Sequence, residues 1–137
     1  MSAVPLPRLR DPAVQAPIAT FAVTTTAESA VVSATGELDV SVIGHLAEII
    51  ERELGLRPRV LVVDASAVTF CAARALTVLI NAASDAHAAG VPFAVVTRSR
   101  AVLRPLTVLG LERVLPVHGD LAAALDWLAL LPGLTSR

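Results

Sequence analysis

The stretch Val60-Leu61-Val62-Val63-Asp64-Ala65-Ser66-Ala67-Val68-Thr69-Phe70 decides the fold. Its first four residues are an unbroken aliphatic run rich in β-branched side chains. Such a run suits a strand buried on both faces, inside a sheet covered by helices, and Asp64 is expected to end it. Downstream, Ala72 to Ala89 reads as a helix with Leu76, Leu79, Ile80 and Ala83 on one face, stopped by Gly90. Phe93 to Val96 is a second buried strand. Ser99 can open a third helix ending at Gly110, and Pro105 inside it should kink or delay it. Val114 to Val117 is expected as a short edge strand that tolerates Pro116. Asp120 then caps a last helix with Leu121, Ala124, Leu125 and Leu128 inward, ended by Pro132 and Gly133.

Upstream of the deciding stretch, Val42, Leu46, Ile49, Ile50 and Leu54 recur at helical spacing. Glu48, Glu51, Arg52 and Glu53 fill the opposite face. Ser41 is expected as the cap of this helix and Gly55 as its left-handed stop. Further back, Ile18 to Val23 and Val31 to Thr35 alternate apolar and polar residues and should form a hairpin, with Gly36 ending its second strand. The order is β-β-α-β-α-β-α-β-α. That predicts an α/β domain with a mixed, mostly parallel sheet of about five strands and about four α-helices. The domain is expected over residues 18–131. Met1 to Pro17, with Pro5, Pro7, Pro12 and Pro17, is expected as a flexible arm, and residues 132–137 as a tail.

Composition narrows the function. The chain has 137 residues, one domain's worth, of which 55% are hydrophobic and 17% charged. So little charge implies either thorough burial or an apolar patch offered to a partner, and it leaves a homodimer open. The net charge is -1 and aromatic residues are 3%, which argues against a basic nucleic-acid surface or a base-stacking platform. A single cysteine, Cys71, excludes an internal disulfide framework and fits a reducing, cytoplasmic setting. No apolar run reaches the roughly 18 residues of a membrane span, and none has the form of a signal peptide.

Four segments carry a family resemblance. Gly36-Glu37-Leu38-Asp39, the run Val60 to Phe70, Leu109 to Val117 ("LGLERVLPV") and the closing helix His118 to Leu128 resemble, in order, the signature stretches of STAS domains. The resemblance spans roughly Ile18 to Leu131 and is to the type found in bacterial anti-sigma factor antagonists. It implies the STAS (SpoIIAA-like) fold. It also implies regulation of transcription through binding an anti-sigma factor of the histidine-kinase-like ATPase type, with no cofactor, no direct nucleic-acid contact and no membrane insertion.

In the phosphorylatable antagonists the turn after the central strand reads D-S-S-G-L, and a kinase phosphorylates its first serine. This chain has Ala72-Ala73-Arg74-Ala75-Leu76 there. The resemblance places Ala73 at the phosphoserine position, so the usual switch has no hydroxyl to act on. It implies a partner surface of Asp39, Thr69, Cys71, Ala72, Ala73, Arg74, Ala75 and Leu76. Loss of Asp and Ser also removes the obvious helix caps, leaving Thr69 or water to meet the first amides. Arg74 would sit against the positive end of the helix dipole, which is mildly unfavourable and easiest to understand if it meets an acidic group on a partner.

Each residue also has a plainer reading. Asp39 can be a turn or cap residue, and Asp64 can bond the amides of Ala65 to Ala67. Cys71 can be a small buried hydrophobe rather than a nucleophile. His45, His87 and His118 are too dispersed to read as metal ligands. Ser66, Thr69, Thr77 and Ser84 are alternative phosphate acceptors near the altered turn. With no acid pair, ligand cluster or phosphate loop, the chain is expected to bind rather than catalyse. STAS proteins also serve as cytoplasmic subunits of lipid-transporting ABC complexes or as stress-signalling scaffolds, and either is the alternative.

Overall fold

The structure, a computed structural model, describes residues 18–131. In chain order its elements are β1 (Ala19–Thr25), β2 (Ala30–Leu38), α1 (Ile43–Gly55), β3 (Leu61–Cys71), α2 (Ala73–Ala89), β4 (Phe93–Val96), α3 (Arg100–Val108), β5 (Val117–His118) and α4 (Leu121–Ala129). The five strands form one sheet in the order β1-β2-β3-β4-β5. The β1–β2 hairpin is antiparallel and every other pairing is parallel. The expected arm, the tail, and the stop at Pro132 and Gly133 lie outside the described residues.

Strand alternation divides the interior between two layers. Ala30, Val32 and Ala34 of β2, Leu61, Val63 and Ala65 of β3, and Phe93 and Val95 of β4 meet the apolar faces of α1, α2 and α3. On the other face Val31, Val60, Val62, Ala94 and Val96 meet Ala124 and Leu128 of α4. Fully buried side chains such as Leu46, Leu61, Leu76 and Leu79 each contribute about 1.5–3 kcal/mol of transfer free energy. With aromatics so scarce, these aliphatic side chains supply the core.

Several local expectations are corrected. β3 does not end at Asp64 but runs on to Cys71. The Asp64 carboxylate accepts the Ser66 N–H at 3.0 Å, where the pairing with β2 skips register between Ser33 and Thr35. Likewise Gly36 does not end β2. It sits at φ +98 beside a second register shift, and the strand continues to Leu38. Ser41 is not the cap of α1; Val42 holds that position without a side-chain bond. Gly55 is the last helical residue, and Arg57, at φ 56, is the left-handed one. β5 is only Val117–His118, because Val114 turns back to the Leu111 carbonyl and Leu115 drops into the core. Ser99 and Asp120 do cap α3 and α4, accepting from Ala101 and Ala123. α3 runs through Pro105 at the cost of one helical hydrogen bond.

Candidate functional site

The carboxyl end of β3 sets the geometry. Leu38 lies opposite Cys71 in the sheet, and the Ala72 N–H donates to the Leu38 carbonyl at 2.9 Å. This bond anchors the start of α2 beside the end of β2. Ala72 is extended (φ -68, ψ 153), the geometry of an N-cap, but no side chain caps the helix. The expected cap from Thr69 is therefore absent. Ala73 is the first helical residue and is exposed, as is Arg74. The first turn of α2 thus presents a methyl group and a guanidinium beside unclaimed backbone N–H groups.

From the other side, a small polar network fixes the β3 irregularity. Buried Thr97 donates its hydroxyl to the Ala65 carbonyl at 3.0 Å, and Ser99 donates to the Val68 carbonyl at 2.6 Å. The α3 start is thereby tied to the stretch of β3 just before the turn.

The eight residues implied by the resemblance fall into two groups. Thr69, Ala73 and Arg74 are exposed, and Asp39 and Ala72 are half-buried. Cys71, Ala75 and Leu76 are core residues. These three side chains are buried and shape the turn from below, so they offer a partner little or no surface. Asp39 makes an Asx turn, accepting from the Ser41 N–H at 2.9 Å and from the Ser41 hydroxyl, so the plainer reading describes what the carboxylate does within the chain.

The same end of the sheet carries two exposed apolar side chains that sequence reasoning missed. Phe70 is 48% exposed opposite Glu37, and Val40, following Asp39, is 62% exposed. The strand was expected to end at Asp64, and the register skip at Ser33/Thr35 defeats simple alternation beyond it, so the exposure of Phe70 was not readable. Exposed apolar side chains of this kind, near the exposed Ala73 and Arg74 along the chain, are what protein partners cover.

Burial pushes the Cys71 thiol up from 9.0 to about 11, so it stays protonated and weakly nucleophilic. Its Sγ lies 3.7 Å from the Ala72 carbonyl. His45 stacks edge-on against Phe21 and His118 rests on Trp127, while His87 lies in the last turn of α2. Among the described residues no group of three His, Cys, Asp or Glu side chains could hold a metal ion. Ser66, Thr69, Thr77 and Ser84 are all exposed.

Comparison with known proteins resolves the family. The family described as "Mlab, STAS domain" matches residues 21–117. The chain belongs to the STAS domain family. This STAS domain is 34% identical over 96 residues to the anti-sigma-F factor antagonist RsfB of Mycobacterium tuberculosis, covering 70% of this chain and 78% of RsfB. It is also similar to the crystal structure of an anti-sigma factor antagonist from Mycobacterium paratuberculosis. There the TM-score is 0.73 at 29% identity, over 81% of this chain and 94% of the other. A chain from the molecular architecture of the stressosome, a signal integration and transduction hub, matches with TM-score 0.61 and 27% identity, over 79% of this chain and 96% of that one.

Proposed function

We propose that this STAS domain is an anti-sigma factor antagonist that binds its anti-sigma factor at the carboxyl end of the sheet and is not switched by phosphorylation at the usual position. The observation that supports this most is Ala73: the first residue of α2, exposed, and without a hydroxyl. A phosphoryl group there would bring nearly two negative charges to the docking surface. With a methyl group in its place the surface stays competent in the presence of ATP. The protein then acts by its abundance, freeing a sigma factor and changing transcription indirectly. Arg74, Phe70 and Val40, flanked by Asp39 and Thr69, form the contact, with Arg74 meeting an acidic group of the partner. Such a role fits the cytoplasm, and none of the described helices is long and apolar enough to cross a membrane.

Two substitutions test the surface. Arg74→Ala removes the proposed charge contact. Ala73→Asp puts a carboxylate where relatives carry phosphate. Each is expected to weaken binding to the cognate anti-sigma factor by about tenfold or more, equivalent to about 1.4 kcal/mol, in a titration by calorimetry. Unchanged affinity in both variants contradicts the proposed surface.

A second reading has two observations behind it. The matching family carries the Mlab name, and the stressosome chain is 27% identical. Under this reading the protein is a subunit of a larger assembly, either a lipid-transporting ABC complex or a signalling scaffold. Co-purification of the full chain with an ATPase and a permease, or with further STAS chains, in place of an anti-sigma factor would favour it.

A further inference from the structure

The two edges of the sheet are built differently. β5 ends one side with two residues, a short edge of the kind that resists pairing. β1 ends the other side with seven. From Ile18 to Ala27 the sequence Ile-Ala-Thr-Phe-Ala-Val-Thr-Thr-Thr-Ala has no charge and no proline. Its register with β2 runs without a bulge from Ala19 opposite Gly36 to Thr25 opposite Ala30. Charge, proline, bulges and brevity are the usual guards of an exposed edge, and β1 has none of them.

The hydrogen bonds tell which backbone groups of β1 have no partner among the described residues. The Glu37 N–H donates to Ile18 O at 3.0 Å, and the Thr26 N–H donates to Ser29 O at 2.8 Å. With the continuous register, Ile18, Thr20, Ala22, Thr24 and Thr26 aim their backbone groups at β2. Ala19, Phe21, Val23 and Thr25 aim theirs outward.

We propose that β1 pairs antiparallel with β1 of a second copy of the chain, about a two-fold axis through Ala22. That register sets Ala19 against Thr25 of the second copy and Phe21 against Val23 of the second copy. Every outward N–H and C=O of the strand then finds a partner, in four pairs that each exchange two bonds. The side chains match as well. On one face Ala22 meets itself, where the axial pair comes within about 4.5 Å and a small residue fits, and Thr20 meets Thr24 of the second copy. On the other face the half-buried Phe21 ring meets the exposed Val23, an aromatic–β-branched pair of the favourable kind. No charge opposes a like charge anywhere along the seam, so the strand is complementary to itself. The Ala73 turn follows β3, two strands in from this edge.

Sedimentation of the full chain across a micromolar-to-millimolar dilution series tests this. The expected particle has twice the 14.2 kDa chain mass and dissociates on dilution. Ala22→Lys and Ala22→Glu each place like charges at the axis and are expected to give the monomer mass. Mixing the two variants restores the dimer. Ala22 is exposed in the single chain, so the circular dichroism of both variants matches that of the parent. Val23→Pro removes one outward N–H while sparing the bonds to β2, and it too gives a monomer. A monomer at every concentration, or a dimer that survives the Ala22 charge variants, overturns the proposal.

Discussion

Two single residues carry constraints that measurement can isolate. Gly36 holds φ +98, and a Cβ added there would overlap the Ile18 carbonyl oxygen of the neighbouring strand. Gly36→Ala combines left-handed strain with a backbone clash, and it is expected to cost about 1–3 kcal/mol or more in urea unfolding. Cys71 offers a pH test. Its thiol is raised from 9.0 to about 11 by burial, so between those values the folded chain holds a proton that the unfolded chain has lost. Stability from this group is therefore complete below about 9 and falls as pH rises toward about 11. The sequence contains no Tyr and no Lys, the side chains whose ordinary values lie nearest that window. The urea midpoint should decline there in the parent chain and stay flat in Cys71→Ala. Native Cys71 should also label with thiol reagents only as fast as the protein opens. Cys71 was legible as a small buried residue because nothing beside it in sequence offered a base. The role of Gly36 was not, because a glycine after an alternating run reads equally as a stop or as a bulge.

At the scale of elements, the start of α2 is locally suboptimal. Ala72 has the extended geometry of an N-cap but no side chain to cap with, and Arg74 lies in the first turn. Ala72→Asp should supply the missing acceptor and raise stability by about 0.5–2 kcal/mol, seen as a higher urea midpoint. That gain is expected to come without tighter partner binding, which separates folding from docking. Helix positions and the buried strands were readable because their periodicities follow from burial on one face or two. The carboxyl end of β3 was not. Asp64 looks like a terminator, yet it bonds Ser66 within a strand that skips register and continues. That skip is a tertiary event between β2 and β3, and it decides that Phe70 faces solvent while Cys71 faces the core. The inward and outward members of the proposed surface could thus be sorted only in three dimensions.

For the whole molecule, one face of the sheet carries three helices and the other carries α4. This layering places the end of β2 and the start of α2 side by side, joined by the Ala72–Leu38 bond. The class of fold and the strand–helix order could be read from the alternation of aliphatic runs and amphipathic stretches. A partner's identity leaves no such periodic trace, because docking depends on a few exposed side chains that folding does not constrain. The account of function therefore rests on what Ala73 lacks. The most direct measurement is the affinity of the full chain for the proposed kinase-type anti-sigma factor, taken with Mg-ATP and again with ADP, with mass spectrometry of the recovered chain. Equal affinity in both nucleotides and an unmodified chain are the predicted result; loss of binding in ATP together with a phosphorylated chain would contradict it.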